Sequence, residues 1–255
     1  MRRLSRILKS DGKSVIVAMD HGASLSVSPA LNDTGKILER IVLGGADAVI
    51  VTYGIAVKYA DILKDVGVIV RMDGGGSIFT KRDTFPRLLY SVEEMLKIGA
   101  DAMVCMGFPG CTYEQECLEN LAKLCEAGRE WGMPVVAEML PGGFNSEPQN
   151  TVENLTYAAR IGCEYGASMI KTAFAGTAEE YRSVIEASYQ PVVVLGGGKT
   201  NDMSSLFGSI QDALDAGAAG VAIGRNVWGH ENARELTAAL VDMVHNGVKA
   251  DALQF

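Results

Sequence analysis

Apolar residues along this chain come in short runs, each closing on a polar or glycine-rich stretch, at positions 14–20, 46–52, 66–73, 100–106, 133–140, 167–172, 190–197 and 218–224. The runs are rich in β-branched residues and too short for helices, so they read as buried strands. Their starts lie 32, 20, 34, 33, 34, 23 and 28 residues apart, room for a strand, a loop, a helix of about three turns and a return. Between them sit amphipathic stretches, 114–131 and 151–165 among them, and most close with Gly-Ala or Gly-Met, as at Gly132-Met133 and Gly217-Ala218. Glycine past a helix end followed by a strand is the chemistry of an αβ turn.

Eight such units without a break in composition predict an α/β fold of the (β/α)8 TIM-barrel type. A doubly wound open sheet would place a glycine-rich loop after its first strand, where this chain has Asp20-His21-Gly22. No linker is visible, so residues 1–255 are expected to form a single barrel domain, with a short amphipathic helix at about 1–10 capping the N-terminal end.

Composition narrows the partners. Against 23 Lys and Arg stand 31 Asp and Glu, a net charge of −8 with a pI near 5.0, the wrong balance for a general binder of nucleic-acid backbones. No run is long enough to span a bilayer and the N-terminal stretch is too polar for a signal peptide, so no membrane is involved and a cytoplasmic location is expected. Five cysteines without a CxxC pair and three histidines without ligand spacing support neither a disulfide framework nor a metal site. No cofactor is expected.

Barrels of this kind work at the C-terminal ends of their strands. Here those ends carry Asp20, Thr52, Arg71 with Asp73, Glu138, Lys171, Lys199 and Arg225. Lys171 is the most informative, because a lysine that closes a strand has no easy route to water. A buried ammonium is costly unless paired or neutralised, and a neutral amine forms imines with ketones and aldehydes. If Asp20 points inward, alternation makes Ile16 and Ala18 line the barrel and puts Glu138 on the same face as Leu140. Asp20 and Glu138 then flank Lys171, one to pair with the amine and one to carry protons, although Asp20 as an N-cap or loop-ordering acceptor and Glu138 as a plain counter-ion of Lys171 or Arg71 are open alternatives. His21 reads as structural. Gly196-Gly197-Gly198-Lys199 and Gly224-Arg225-Asn226 stand after the seventh and eighth strands, where barrels bind phosphate on backbone amides. Gly74-Gly75-Gly76 is a turn or a substrate clamp, followed by a basic loop with Lys81, Arg82 and Arg87.

These residues carry a resemblance. Met19-Asp20-His21-Gly22, Ile170-Lys171-Thr172, Gly196-Gly197-Gly198-Lys199 and the run Gly220-Val221-Ala222-Ile223-Gly224-Arg225-Asn226-Val227-Trp228 resemble the archaeal-type, or DhnA-type, class I fructose-bisphosphate aldolases of the DeoC/LacD-like superfamily. That group includes the aminodideoxyheptulosonate synthase and the autoinducer-2 phosphate thiolase. The resemblance implies a Schiff-base aldolase acting on a phosphorylated ketose, with Lys171 forming the imine and Asp20 assisting carbinolamine chemistry. It implies a phosphate cradle of Gly197, Gly198, Gly224 and Arg225, and a homo-oligomer, decameric in the family. Aldolase members usually place Tyr-Pro-Arg-Gly after strand five, and this chain has Leu140-Pro141-Gly142-Gly143. Without that phenol the acid/base role passes to Glu138, with a water or Tyr113 as alternatives. Burial beside Val136 and Leu140 would raise the Glu138 pKa, and a cationic Lys171 would lower it. The thiolase branch, which also lacks the tyrosine and has a segment similar to the stretch 71–78, makes acyl transfer from a phosphorylated diketone to coenzyme A one alternative activity, a transaldolase-type synthase is another, and a silent phosphosugar-binding barrel is the alternative outside catalysis.

Overall fold

The computed structural model describes residues 2–22, 28–77, 79, 86–143 and 150–253. Eight parallel strands close into a barrel: β1 (Ser14–Ala18), β2 (Ala48–Val51), β3 (Gly67–Arg71), β4 (Ala102–Gly107), β5 (Val135–Met139), β6 (Met169–Thr172), β7 (Val192–Leu195) and β8 (Gly220–Ile223). Order around the barrel follows the chain, and β8 returns to β1 in the register Ser14↔Gly220 to Val17↔Ile223. Each strand overlaps one of the eight apolar runs. Most runs start earlier than their strands because turn residues such as Ala46 and Ala100 are buried without joining the ladder.

Alternation sorts the strand residues into two cores. Ile16, Ala18, Ile50, Ile69, Val104, Val136, Met169 and Val193 fill the barrel, while Val15, Val17, Val49 and Val70 face outward into the cluster under the helices. The inward parity expected for Ile16 and Ala18 is the one observed. Among the described residues ten α-helices surround the barrel: α1 (Thr34–Leu43), α2 (Tyr53–Lys58), α3 (Ala60–Leu63), α4 (Val92–Lys97), α5 (Glu114–Trp131), α6 (Val152–Glu164), α7 (Ala178–Ala187), α8 (Met203–Ala216), α9 (Arg225–Trp228) and α10 (Ala233–Asn246). Local chemistry marks their ends. Ser91, Thr151 and Thr177 accept the third-residue amides of α4, α6 and α7, and Glu180 completes a capping box with Thr177. Gly132 and Gly217 end α5 and α8 at φ of 64° and 108°, a conformation that costs glycine little.

Three elements differ from the sequence pattern. The N-terminal helix is a single 3₁₀ stretch, Arg2–Arg6, shorter than the 1–10 span expected. Arg3 and Arg6 donate to carbonyls at Ala100, Lys64 and Val66, Arg6 pairs with Asp101, and Ile7 drops into the inner core. That anchoring stops the helix. The short interval between the second and third runs holds two small helices, α2 and α3. A two-residue antiparallel ladder, Asp73–Gly74 with Arg87–Leu88, sits above β3 and is too short to leave a periodic signal. Arg87 belongs to this ladder, whereas Lys81 and Arg82 lie outside the described residues. Among the described residues the five cysteines are unpaired, no cluster of metal-ligating side chains occurs, and no helix is long and apolar enough to cross a membrane.

At the N-terminal end, His245 in the last turn of α10 clamps two acidic residues, with Nδ1 2.7 Å from Asp11 and Nε2 2.8 Å from Asp47. Asp47 also accepts the Val15 amide at 2.7 Å and faces Lys9 at 3.5 Å. Burial alone would lower the His245 pKa, but the bonds to Asp11 and Asp47 outweigh it and raise it above the ordinary 6.5. The charged imidazole thus stabilises the fold fully below its unfolded pKa, and this contribution fades as pH rises through the raised folded value. His245→Gln is expected to cost about 1–2 kcal/mol at pH 6 and clearly less at pH 9. Urea unfolding at the two pH values checks this; an equal loss at both would mean that the imidazole charge contributes nothing.

Candidate active site

At the C-terminal mouth of the barrel the strands deliver charge in place of apolar side chains. Beyond Val136 on β5 stands Glu138, beyond Met169 on β6 stands Lys171, beyond Ile69 on β3 stands Arg71, and Asp20 follows β1. Glu138 and Lys171 are register partners, and the Lys171 Nζ lies 2.6 Å from Glu138 Oε1 with both side chains under a tenth exposed. The second oxygen of Glu138 accepts from Arg71. Arg71 also donates from Nε to Asp20 at 2.8 Å and from Nη1 to Asp73 at 3.2 Å. Asp73 in turn accepts the Met106 amide at 2.9 Å, which fixes it to the end of β4. Three carboxylates and two cations form one buried network.

Each charge in it is held by the others. Burial on its own would raise the Asp20 pKa, but Arg71, Lys171 and His21 bring it down to about 2. Glu138 follows the same logic: burial pushes upward, Lys171 and Arg71 push harder downward, and it ends below the ordinary carboxylate value. The competition between burial and a cationic Lys171 is decided for ionisation, with Arg71, the other candidate counter-ion of Glu138, acting as a second cation. Arg71 itself is held well above its ordinary value against burial by Asp20, Glu138 and Asp73. Asp73 is the exception, its pKa raised because burial exceeds the pull of Arg71.

His21 is structural in its contacts. Its ring meets Trp228 edge-on at 5.6 Å, and burial, against the pull of Asp20, lowers its pKa so that the imidazole is neutral at pH 7. Trp228 donates its indole N–H to the Ala18 carbonyl at 3.0 Å, tying the end of β1 to the turn after β8.

The two glycine stretches lie beside each other, and one side chain joins them. Asn226 donates to the carbonyls of Gly196 and Gly198 at 2.8 and 3.1 Å and accepts the Thr200 amide at 2.8 Å. Arg225 reaches back to the Gly197 carbonyl at 2.8 Å, and Lys199 to the Gly229 carbonyl at 2.8 Å. Gly197 adopts φ +63° and, like Gly198, has open space where a Cβ would stand, which suits a close approach to an anion. Gly224 is glycine for a different reason. A Cβ there would come within 2.5 Å of the Ala18 carbonyl and of the His21 ring, so its missing side chain admits the end of β1.

Of the residues singled out from sequence, Asp20, Glu138 and Lys171 converge at the mouth, and Gly197, Gly198, Gly224 and Arg225 share one rim over β7 and β8. Arg71 stood among the strand ends as one of two candidate counter-ions for Glu138, Asp73 stood there without a role, and Asn226 was only the last letter of a turn motif. Their signal was weak: an Arg-X-Asp at a strand end, and a buried asparagine after the last strand. Leu140 occupies the position after β5 as expected, and Tyr113 packs edge-on against Phe108 at the start of α5.

Comparison with known proteins follows from this geometry. The profile described as DeoC/LacD family aldolase matches residues 14–230. The chain is 33% identical over 250 residues to the 2-amino-3,7-dideoxy-D-threo-hept-6-ulosonate synthase of Halobacterium salinarum, covering 98% of this chain and 93% of that protein. It is 32% identical over 250 residues to the class 1 fructose-bisphosphate aldolase of Thermoproteus tenax, covering 96% and 94%. Among solved structures, an archaeal fructose 1,6-bisphosphate aldolase superposes with a TM-score of 0.88 at 30% identity over 96% of this chain and 99% of that one. Another, whose catalytic lysine is covalently bound to the carbinolamine intermediate of the substrate, superposes at 0.87 and 30% identity over 95% and 98%.

Proposed function

Since the chain belongs to the DeoC/LacD family of aldolases, a Schiff-base class I enzyme acting on phosphorylated sugars, we propose that Lys171 is the amine that forms its imine. The observation that carries this is the pairing of Lys171 with Glu138 at 2.6 Å inside the barrel mouth, where a lysine needs a proton acceptor before it can attack.

In the proposed sequence Glu138 takes a proton from the Lys171 ammonium, the freed amine adds to the substrate ketone, and the proton that the attacking nitrogen sheds passes to the carbonyl oxygen to give the carbinolamine. Glu138 then returns its proton to the carbinolamine hydroxyl, which leaves as water. The iminium withdraws the electron pair of the neighbouring carbon–carbon bond as Glu138, a carboxylate again, removes the β-hydroxyl proton; the aldehyde departs, an enamine remains, and Glu138 holds the proton for the enamine carbon. Reprotonation and hydrolysis restore the lysine. Asp20, with a pKa of about 2, stays ionised and serves the cationic iminium as a counter-charge rather than as an acid. The substrate phosphate sits on the rim of Gly197, Gly198, Gly224 and Arg225, where the helix-start amides and the guanidinium face one anion. A homo-oligomer of the decameric kind and a cytoplasmic location belong to the same proposal.

The test is reduction with borohydride in the presence of dihydroxyacetone phosphate, followed by peptide mass spectrometry. An adduct on Lys171 is expected. No adduct with a panel of phosphorylated ketones would end the proposal, and a product that appears only when coenzyme A is added would transfer it to the thiolase.

Asn226 gives an independent check on the phosphate rim. Removing its three hydrogen bonds with Asn226→Ala loosens both loops, and the half-saturating dihydroxyacetone phosphate concentration in the trapping assay is expected to rise about tenfold, the equivalent of one lost interaction of about 1.4 kcal/mol. An unchanged value would place the phosphate elsewhere.

A further inference from the structure

The guanidinium of Arg71 touches carboxylates from three directions: Asp20 after β1, Asp73 above β3 and Glu138 on β5. The Arg71 side chain is 11% exposed, and each of its three nitrogens donates to a carboxylate. Its contact with Glu138 is asymmetric in a way that bears on chemistry. One oxygen of Glu138 is committed to Arg71, and the other points at the Lys171 amine.

We propose that Arg71 is the positioning residue that keeps Glu138 ionised and aimed at Lys171, with Asp73 dividing its charge. This rests on Lys171 being the imine-forming amine. Without Arg71, Glu138 and Asp20 would keep Lys171 beside them while Asp73 lost the cation it pairs with, and like charges in a buried site drive a carboxylate to keep its proton. A protonated Glu138 cannot accept from the ammonium. The working form of the Lys171–Glu138 pair carries one proton, and a second proton silences it, so the acidic limb of imine formation reports an apparent pKa of the pair. The groups that set it are Arg71, Asp20, Asp73 and His21, which act on the pair from the ends of β1 and β3.

Two substitutions with opposite expected signs test the assignment. Arg71→Met removes the cation, so the acidic limb is expected to move up by about one pH unit or more, slowing trapping about tenfold on that limb. Asp73→Asn removes the carboxylate that competes for Arg71 without touching Lys171, so the limb is expected to move down. Arg71→Lys keeps the charge and should leave the limb within about half a unit of the parent; should Arg71→Met fail to fold, the downward move in Asp73→Asn carries the test.

The assay is the pH dependence of the cyanoborohydride-trapped adduct rate with dihydroxyacetone phosphate, read by intact mass. Limbs that stay put in all three folded variants, or that move the same way for Arg71→Met and Asp73→Asn, would overturn the assignment and leave Arg71 a packing residue. Absence of any adduct in the parent protein would instead remove the role of Lys171 on which the assignment stands.

Discussion

Lys171→Met and Lys171→Arg are both expected to lower turnover by about 10⁴-fold or more, because each removes the amine proposed to carry the covalent intermediate. The pair separates two roles of the side chain. Arginine keeps a positive charge opposite Glu138 but stays protonated and cannot add to a ketone, whereas methionine removes charge and nucleophile together at similar volume. If the ammonium served only to neutralise Glu138, Lys171→Arg would retain much of the activity. Stability should move little in the methionine variant, since Glu138 keeps Arg71 as a partner and a hydrophobic replacement relieves one desolvated charge. Turnover of a phosphorylated ketose, alongside thermal unfolding, is the measurement. More than about 1% residual activity in Lys171→Arg, against the 10⁴-fold loss that covalent catalysis requires, would remove the imine from the mechanism.

Glu138→Gln is expected to cost about 10²- to 10⁴-fold in turnover, the range set by losing a positioned proton carrier. Glutamine fills the same space but cannot take the ammonium proton, and its amide must turn an N–H towards either Lys171 or Arg71, both of which are donors. In the parent, the downward shift of the Glu138 pKa places the acidic limb of activity below the ordinary carboxylate value of 4.5. Activity is therefore retained as pH falls through that value and lost only when the pair gains its second proton. In the variant that limb should vanish. Borohydride trapping at Lys171 should persist on a slow timescale, because the amine is intact. A loss of less than threefold, against the 10²-fold floor for general acid–base catalysis, would assign proton transfer to a water or to Tyr113.

Much of this site was legible before any coordinates, for a definite reason. Strand parity is a local property, so an apolar run that ends in Lys171, or one with Glu138 two residues before Leu140, carries the direction of its side chains in its own alternation. What the runs do not carry is who sits across the mouth. Arg71 meets Asp20 and Glu138 at sequence separations of 51 and 67 residues, and no periodicity encodes a meeting across a closed barrel. The sign of the Glu138 shift was undecidable from the residue itself because two opposing effects act, and only the placement of a second cation resolves them. Asn226 escaped notice as an organiser because an asparagine after Gly-Arg looks like ordinary turn chemistry. Its burial and its three bonds to the neighbouring loop exist only once β7 and β8 lie side by side.

The indole of Trp228 reaches the Ala18 carbonyl across 210 residues of chain, at the seam where the first strand meets the last. A ribosome adding roughly 5–20 residues per second leaves β1 waiting tens of seconds for that partner, with its outer edge unpaired and open to another strand. Lys171, Glu138 and Arg71 all emerge before Gly197, Gly198, Gly224 and Arg225, the rim proposed for the phosphate. A nascent chain therefore carries the proposed amine before it carries the residues proposed to seat a phosphate, so completion of that rim and closure of the barrel fall together at the end of synthesis.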